Sequence, residues 1–304
     1  MKQSTNKVEF ILDEYEYFED LYIENGASDV LLVKTKRPNV RVVADNLSKY
    51  RVFVEKSILF VKEEHEYKYR APFAAKKNNK RITIYLPENK YNDISIYSHY
   101  GAKVVLPKTI SFATIDASVA YGTLICSAPA KHLEVVHAES EIIIKDNKYE
   151  TLYIDTTDSL TKLQNVKAKE ITIYRAPFEF SEKVQFTNVS ATKDIKIDVY
   201  NLELMFKNVI ARQKLTINSD YYAVIKLNNI DATNIAMTLK KGSVSGTLSS
   251  AKEFDLIGTF KNNIKCPAFL VPNGTCTIKI KEEGKVNYLL WVVIFCQVPV
   301  SMII

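Results

Sequence analysis

The sequence is poor in the residues on which loop-rich and disulfide-bonded folds depend. Its 304 residues include only 8 Gly and 9 Pro, which is few for a loop-rich β-sandwich. None of the four cysteines belongs to a CxxC pair or has a histidine at zinc-like spacing, so the sequence predicts no metal site. A disulfide between Cys266 and Cys276 stays open, and buried free thiols are the preferred interpretation. The other two cysteines are Cys126 and Cys296.

Signatures of catalysis are missing as well. The sequence contains no G-x-S-x-G, phosphate loop, dinucleotide fingerprint or H-E-x-x-H. The four histidines, which we interpret as solvated, have no triad-like spacing: His65, His99, His132 and His137. His132 and His137 are five residues apart, which places them on opposite faces of one continuous strand. We therefore predict a non-enzymatic protein that needs no cofactor.

A glycan-cleaving enzyme is the alternative, since solenoid folds also carry such chemistry. It requires carboxylates, or a basic side chain, that converge in a groove. The candidates are acidic residues near predicted turns: Asp155, Asp158, Asp194, Asp198 and Asp220. At such positions Asp commonly bonds its own backbone, so we favour a structural role for them.

Long apolar runs are absent from the N-terminus, where MKQSTNKVEFILDEYEYFEDL lacks the apolar core of a signal peptide. The C-terminal segment 288–304, YLLWVVIFCQVPVSMII, is the exception. Its 17 residues are near the lower limit for a membrane-spanning helix. An anchor, a terminal cap and a reading-frame accident stay open for this tail, and the anchor alternative would bring the tail into contact with a membrane.

The charge pattern is that of solvated strand faces. The formal net charge is +6, but most lysines stand singly between strand residues. One tighter basic cluster falls in a predicted polar loop, which we interpret as solvated: Lys76, Lys77, Lys80 and Arg81. Nucleic-acid binding requires a basic stripe with stacking aromatic residues or a known motif. The sequence has neither, so no nucleic-acid partner is predicted.

A short phrase recurs in the second half of the chain: LQNVKA, FTNVSA, FKNVIA and LNNIDA. Its asparagines are Asn165, Asn188, Asn208 and Asn229, and its alanines are Ala168, Ala191, Ala211 and Ala232. The asparagines are spaced by 23, 20 and 21 residues, and such a period is the signature of a stacked repeat. A weaker fifth copy, FATIDA, has Thr114 in the asparagine position.

Segments that alternate apolar and polar residues lie between the copies, as in EITIY, DIKIDV and KLTINS. This period of two predicts strands with one buried face. About twenty residues hold two or three strands with their turns and leave no room for a crossover helix. The sequence therefore predicts an all-β fold, a parallel β-solenoid whose turns lie about 4.8 Å apart.

The recurring asparagines are predicted to form a structural ladder. Equivalent residues of successive turns lie over one another, so each side-chain amide can donate to the next. Asn also tolerates the left-handed backbone of a tight corner, and Ala suits a corner with little space. Replacing Asn208 with Leu is expected to destabilise the stack by about 1 to 3 kcal/mol, the cost of leaving neighbouring buried amides unpaired. A row of amides that grips a glycan or an ice-like lattice is the less favoured interpretation.

The chain divides into three predicted regions. Residues 1–87 contain strand-like runs without the asparagine phrase and form a β-rich N-terminal cap, which a solenoid needs to cover its open end. Residues 88–287 form the solenoid repeats, with GSVSG at a corner of the stack, and residues 288–304 form the apolar tail.

Four stretches together resemble the bacterial putative-adhesin family of β-strand-repeat proteins, a family of unknown function: FEDLYIENGASDVLLVKTKR, RITIYLPENKYNDISIYSHYG, IDTTDSLTKLQNVKA and GSVSGTL. The likeness covers about residues 9–287. The family's usual turn, T-S-G-D-I, survives only as fragments such as TTDSL, NSDYY and KGSVSG. The resemblance implies a right-handed β-helix-like stack, tied to the cell envelope and without accepted catalytic residues.

These expectations combine into one functional hypothesis. The chain is predicted to be a non-enzymatic, envelope-associated scaffold or adhesin-like binding protein of unknown ligand. Its expected partner is an envelope component or a second copy of itself. A glycan-binding or glycan-cleaving β-solenoid is the alternative.

Overall fold

The computed structural model describes residues 8–12, 17–45, 49–64, 80–88, 90–175, 181–251, 253–265 and 277–281. These residues form strands and turns and no α-helix. The chain winds into a β-solenoid of about six turns, with strands of mixed direction at its N-terminal end. The predicted all-β solenoid is thereby confirmed.

The chain divides into two compact units, residues 1–167 and residues 168–304. The strands that begin in the first unit are β1 (Val8–Ile11), β2 (Asp20–Asn25), β3 (Asp29–Lys34), β4 (Arg41–Ala44), β5 (Tyr50–Glu55), β6 (Ile58–Glu63), β7 (Arg81–Leu86), β8 (Tyr91–Ser98), β9 (Lys103–Leu106), β10 (Phe112–Ala120), β11 (Thr123–Cys126), β12 (His132–Ala138), β13 (Glu141–Thr157) and β14 (Leu160–Tyr174).

Parallel pairing stacks the layers of the first unit in register. Strand β2 pairs with β8, β8 with β10, β10 with β12, and β12 with β13. One interior column contains a buried apolar residue from each layer: Ile23, Ile96, Ala117, Val135 and Ile154. Burying each large aliphatic side chain contributes about 1.5–3 kcal/mol, so the period-two pattern of the sequence builds the core directly.

The N-terminal end departs from chain order. Strands β6 and β7 pair in parallel with β2 and β3, which pair on their other side with β8 and β9. The chain therefore crosses one layer between the end of β7 and the start of β8. Antiparallel strands β4 and β5 pair with β7 and β6, and β1 pairs with β4. The predicted boundary at residue 87 stays a prediction, and β2, β3, β6 and β7 already belong to parallel layers.

One corner of the first unit places residues of left-handed backbone in successive layers: Tyr100, Tyr121, Glu139 and Asp158. A small residue follows each of them, and two are the buried Ser140 and Ser159. Ser140 Oγ accepts the Gly122 N–H at 3.3 Å, and Ser159 Oγ accepts the Ser140 N–H at 3.2 Å. These hydroxyls therefore satisfy backbone donors that the corner would otherwise bury unpaired.

The strands that begin in the second unit also pair in parallel with one another: β15 (Ser181–Ala191), β16 (Ile195–Val199), β17 (Asn201–Ser250), β18 (Glu253–Lys265) and β19 (Thr277–Lys281). The 50 residues of β17 include several corners through which the strand character continues. Inside the unit, the buried rings of Phe186 and Phe206 stack with their centroids 4.8 Å apart. Such pairs add about 0.5–1.5 kcal/mol beyond their buried area.

Several expectations fall on residues outside the described ranges. They concern the apolar tail 288–304, the Cys266–Cys276 pair, Cys296, His65, Lys76 and Lys77. Within the part of the chain that is described, no helix is long and apolar enough to cross a membrane.

Candidate functional site

Each predicted asparagine occupies a left-handed corner. The φ angles of Asn165, Asn188, Asn208 and Asn229 are 53°, 55°, 55° and 61°. The left-handed asparagine adds one outward position to the strand alternation. The residue two positions before the asparagine therefore points inward, and so do the residues one and three positions after it. In the third copy these are the buried Phe206, Val209 and Ala211. The recurring phrase thus encodes a corner that keeps its apolar side chains in the core.

Side-chain amides meet in the second unit. Asn208 Nδ2 donates to Asn188 Oδ1 at 2.9 Å, and Asn229 Nδ2 donates to Asn208 Oδ1 at 2.9 Å. In the first unit, Asn165 Nδ2 donates to Asp146 Oδ1 at 2.7 Å, and Asp146 also has a left-handed backbone with φ of 56°. Sequence reasoning missed Asp146. The signal was the Asp-Asn pair in "IIIKDNKY", a combination that favours turns.

Two details of the sequence interpretation are wrong. The four asparagines are exposed, so their amides are not the buried groups whose loss would cost about 1 to 3 kcal/mol. The weaker fifth copy does not form a corner of this kind, because Thr114 does not have a left-handed backbone and pairs in register with Asp93 and His132. Residues that share a pattern of apolar spacing do not necessarily share a backbone conformation.

The acidic candidates have separate local surroundings. Asp155 is half-buried in β13, where burial raises the pKa of its carboxyl, and Asp158 is a left-handed corner residue. Asp194 accepts the Lys214 N–H at 3.1 Å. Asp198 pairs with Lys196 at 3.6 Å, and Asp220 is exposed. Among the described residues, no group of three His, Cys, Asp or Glu side chains could hold a metal ion.

The two histidines of β12 point to opposite faces, as their spacing predicts. His132 is exposed and its Nδ1 lies 2.7 Å from Thr151 Oγ1. His137 is buried and its Nε2 lies 3.2 Å from Thr161 Oγ1. The expectation of solvated histidines is therefore wrong for His137. Burial lowers the pKa of this imidazole to about 3, so the buried ring is neutral.

Tyrosines gather at one corner of the second unit, which we call the tyrosine edge: Tyr174, Tyr200, Tyr221 and Tyr222. Tyr174, Tyr221 and Tyr222 are 41%, 53% and 43% exposed. The rings of Tyr200 and Tyr221 stack with centroids 5.4 Å apart and planes 3° from parallel. Their backbones are also joined, because the Tyr221 N–H donates to the Tyr200 carbonyl at 3.0 Å. The two rings are therefore held in place by the stacking of the coils.

A buried ion pair lies behind this edge. Arg175 Nε and Glu182 Oε1 are 3.7 Å apart, with both side chains fully buried. The Arg175 guanidinium also lies 5.9 Å from the centre of the Tyr200 ring. Breaking one partner of a buried pair typically costs about 3–5 kcal/mol, so the pair fixes the position of the corner that carries the tyrosines.

Polar side chains with planar groups flank the tyrosine edge. Asp198 pairs in register with Tyr174 on one side and with Asn218 on the other. Ser219 Oγ donates to the Tyr200 carbonyl at 2.8 Å. Exposed rings beside carboxylate and amide groups provide both an apolar surface and hydrogen-bonding atoms for a ligand.

Comparison with known proteins gives structural matches only. No protein-family model matches the chain, and no curated protein matches it. Its fold resembles bacterial adhesin-like structures. A putative lipid binding protein from Parabacteroides distasonis ATCC 8503 is 13% identical, with a TM-score of 0.46, and the match covers 91% of this chain and 96% of the other.

Two putative adhesins give similar matches. One from Parabacteroides distasonis ATCC 8503 is 9% identical, with a TM-score of 0.47, over 91% of this chain and 96% of the other. One from Bacteroides fragilis NCTC 9343 is 12% identical, with a TM-score of 0.42, over 92% of this chain and 98% of the other.

The tyrosine edge was missed by sequence reasoning, which interpreted the abundant tyrosines as packing on pleated surfaces. A signal was present, since Tyr174, Tyr200 and Tyr221 recur at about the period of the asparagine phrase. In the sequence, each of these tyrosines follows a segment that alternates apolar and polar residues, as in EITIY, DIKIDVY and KLTINSDYY. A residue that recurs once per repeat at a position outside the buried face is expected to form a column on the outer surface of the stack.

Proposed function

We propose that the chain is a non-enzymatic binding scaffold of the cell envelope that holds its ligand at the tyrosine edge. The observation that carries this proposal is the stacking of Tyr200 on Tyr221 beside the exposed Tyr222. Tyrosine offers a large amphipathic contact area at low entropic cost, and rings that are already ordered lose less freedom on binding. The family resemblance of the sequence supports the envelope location.

The charges of the second unit favour an uncharged ligand. Outward charged side chains pair across neighbouring turns: Lys183 with Glu203, Lys193 with Glu170, and Arg212 with Asp231. Exposed pairs of this kind contribute little stability, but the two charges of each pair neutralise each other. An anionic polymer would need a row of lysines or arginines instead.

The ligand class that fits best is an uncharged glycan of the envelope. Sugar rings present apolar C–H faces that can lie on exposed tyrosines, and their hydroxyls can donate to carboxylate and amide oxygens. Asp198 and Asn218 provide such oxygens next to Tyr174. A second copy of the chain is the competing occupant, because exposed aromatic residues also mark protein interfaces.

Cosedimentation with insoluble, uncharged cell-wall polysaccharide tests this proposal. We expect the double variant Tyr221→Ala/Tyr222→Ala to bind about tenfold or more weakly, the loss typical of a central aromatic contact. Tyr100→Ala/Tyr121→Ala is the matched control, since these tyrosines are 38% and 40% exposed in the first unit. Circular dichroism and a thermal melt establish that both variants are folded.

Three results would overturn the proposal. Equal binding by wild type and the Tyr221/Tyr222 variant would exclude the tyrosine edge as the contact. Release of new reducing ends from the polysaccharide would show an enzyme. Concentration-dependent dimerisation that the same variant abolishes, without polysaccharide binding, would assign the edge to self-association.

A further inference from the structure

The layer crossing in the first unit leaves a recess that we call the crossover pocket. Its volume is about 440 Å³, within the range of about 300–1,000 Å³ of small-molecule sites. Pro87, Glu88 and Lys90 come from the turn between β7 and β8, and Lys34 comes from the end of β3. The turn after β9 contributes Thr109, Ile110 and Ser111.

The pocket exists because of the topology. From β8 onward, the turn that ends one layer leads to the adjacent layer of the stack. The turn between β7 and β8 instead passes the β2–β3 layer, which lies between them. This turn cannot pack on its neighbour in the regular way, and a hollow forms beside the end of β3. The floor includes the buried Ile110.

Positive charge predominates around the crossover pocket. Lys34 Nζ forms a hydrogen-bonded ion pair with Glu88 Oε1. This contact lowers the pKa of the Glu88 carboxyl, with a smaller contribution from the nearby charge of Lys36. Lys90 lies in the same wall. Two lysines of the lining, Lys34 and Lys90, thus face one carboxylate, and the excess positive charge that remains on Lys90 favours a ligand with a negative charge.

We propose that the crossover pocket binds an acidic sugar unit, a ring that carries one carboxylate and several hydroxyls. Lys90 binds the ligand carboxylate. Glu88, Thr109 and Ser111 accept hydrogen bonds from the ligand hydroxyls, and Ile110 and Pro87 contact the apolar C–H face of the ring. This site is independent of the tyrosine edge, which lies in the second unit and lacks a comparable excess of lysine.

The wall itself distinguishes an acidic sugar from a phosphate. Glu88 is an acceptor for hydroxyl groups, but it repels the second charge of a phosphate dianion. A ligand with one carboxylate and neutral hydroxyls satisfies both Lys90 and Glu88. The neutral sugar of the same ring, by contrast, leaves the lysine charge without a counter-ion.

Isothermal titration of the full chain with glucuronate tests the pocket, with glucose and inorganic phosphate as parallel probes. We expect saturable glucuronate binding at or below about 10 mM, glucose and phosphate at least about tenfold weaker, and weaker glucuronate binding as salt rises. Lys90→Glu should abolish the binding. Lys226→Glu, at an exposed lysine of the second unit, should not change it.

Other outcomes would overturn the proposal. It fails if glucuronate shows no saturable binding in this range, if phosphate or glucose binds equally well, or if Lys90→Glu leaves glucuronate binding unchanged. Tyr221→Ala/Tyr222→Ala should keep full glucuronate affinity. Loss of glucuronate binding in that variant would instead place the sugar acid at the tyrosine edge, so failure of one site is distinguishable from failure of the other.

Discussion

The side-chain amide of Asn208 donates to the side-chain oxygen of Asn188 at 2.9 Å, and both residues hold a φ of 55°. One residue type therefore meets two requirements at the same corner of successive turns. It adopts the left-handed backbone, and it bonds to its equivalent one turn away. Because both side chains are exposed, water competes for the amide bond, and the backbone conformation carries more of the stability.

The first prediction separates these two contributions at Asn208. Asn208→Leu should lower the free energy of unfolding by about 1–2 kcal/mol, the cost of a left-handed conformation for a residue with a bulky Cβ substituent. Asn208→Gly should lower it by only a few tenths, because Gly adopts positive φ freely and only exposed hydrogen bonds are lost. Urea unfolding of the wild type and both variants measures the difference.

Equal destabilisation by Leu and Gly would contradict this account and would assign the stability to the amide bonds. Ser190→Ala is a suitable control, since this half-buried residue lies two positions after Asn188 in β15 and is not left-handed. Its effect should stay within about 0.5 kcal/mol.

The corners could be predicted from sequence because each copy of the phrase places one left-handed residue between inward-facing apolar residues. Because the left-handed Asn208 is followed by the inward side chains of Val209 and Ala211, the same spacing of apolar residues recurs in each copy. The exposure of Asn208 was missed because the left-handed corner adds an outward position to the alternation, and apolar spacing alone does not identify the left-handed residue. Asp146 was hidden for a related reason, since it accepts from Asn165 without sharing the phrase.

The layer order of the first unit lay beyond sequence reasoning. Strands β2, β6 and β8 have the same alternating pattern, and alternation does not reveal which strand lies between the other two. The pairing of Ile23 with Ile96 on one side and with Val61 on the other is decided by long-range packing. The crossover pocket is a consequence of this order, and so it could not be predicted either.

The second prediction concerns Gly242, which has a φ of +140°. A Cβ added there would lie 1.8 Å from the Ala223 carbonyl oxygen, so a neighbouring turn occupies the space that a side chain needs. Gly242→Ala should therefore destabilise the fold by about 1–3 kcal/mol or more, through backbone strain and the clash. A lower urea midpoint with an unchanged slope is the expected readout.

Ser243→Ala is the matched control for Gly242, because this half-buried neighbour already carries a Cβ. Its unfolding midpoint should be close to that of the wild type. A Gly242→Ala variant as stable as the control would mean that the backbone near Ala223 can move aside at no cost.

The third prediction is that Cys126 resists alkylation in the folded protein. Its thiol is fully buried, with Sγ 3.7 Å from the Tyr149 hydroxyl. Burial raises the pKa of this thiol to about 11, and the thiolate is the reactive form. Iodoacetamide at pH 7.5 should leave Cys126 unmodified, as read by peptide mass spectrometry. Urea-unfolded protein is the control and should be fully alkylated, whereas rapid labelling of the folded chain would show that this layer opens easily.

The last prediction concerns acid sensitivity through His137. The imidazole is buried between Val119 and Thr156 of the adjoining layers, and its Nδ1 has no hydrogen-bond partner among the described residues. Burial lowers its pKa from 6.5 to about 3. In the unfolded chain His137 is therefore protonated below about pH 6.5, whereas in the folded chain it is protonated only below about pH 3. Over this window, stability should fall by up to about 1.4 kcal/mol per pH unit, and above pH 6.5 the group should have no effect.

Carboxylates also contribute to acid unfolding, so the contribution of His137 is measured as a difference. His137→Leu removes the titrating group, and its unfolding free energy should fall less steeply between pH 6.5 and 4 than that of the wild type. His132→Leu is the control on the same strand, because its exposed ring bonds to Thr151 at the surface. This variant shows how much of any change in slope comes from replacing a histidine of this strand with Leu. Parallel curves for wild type and His137→Leu would mean that water or a local opening solvates the imidazolium, and that the interior of this layer is not closed.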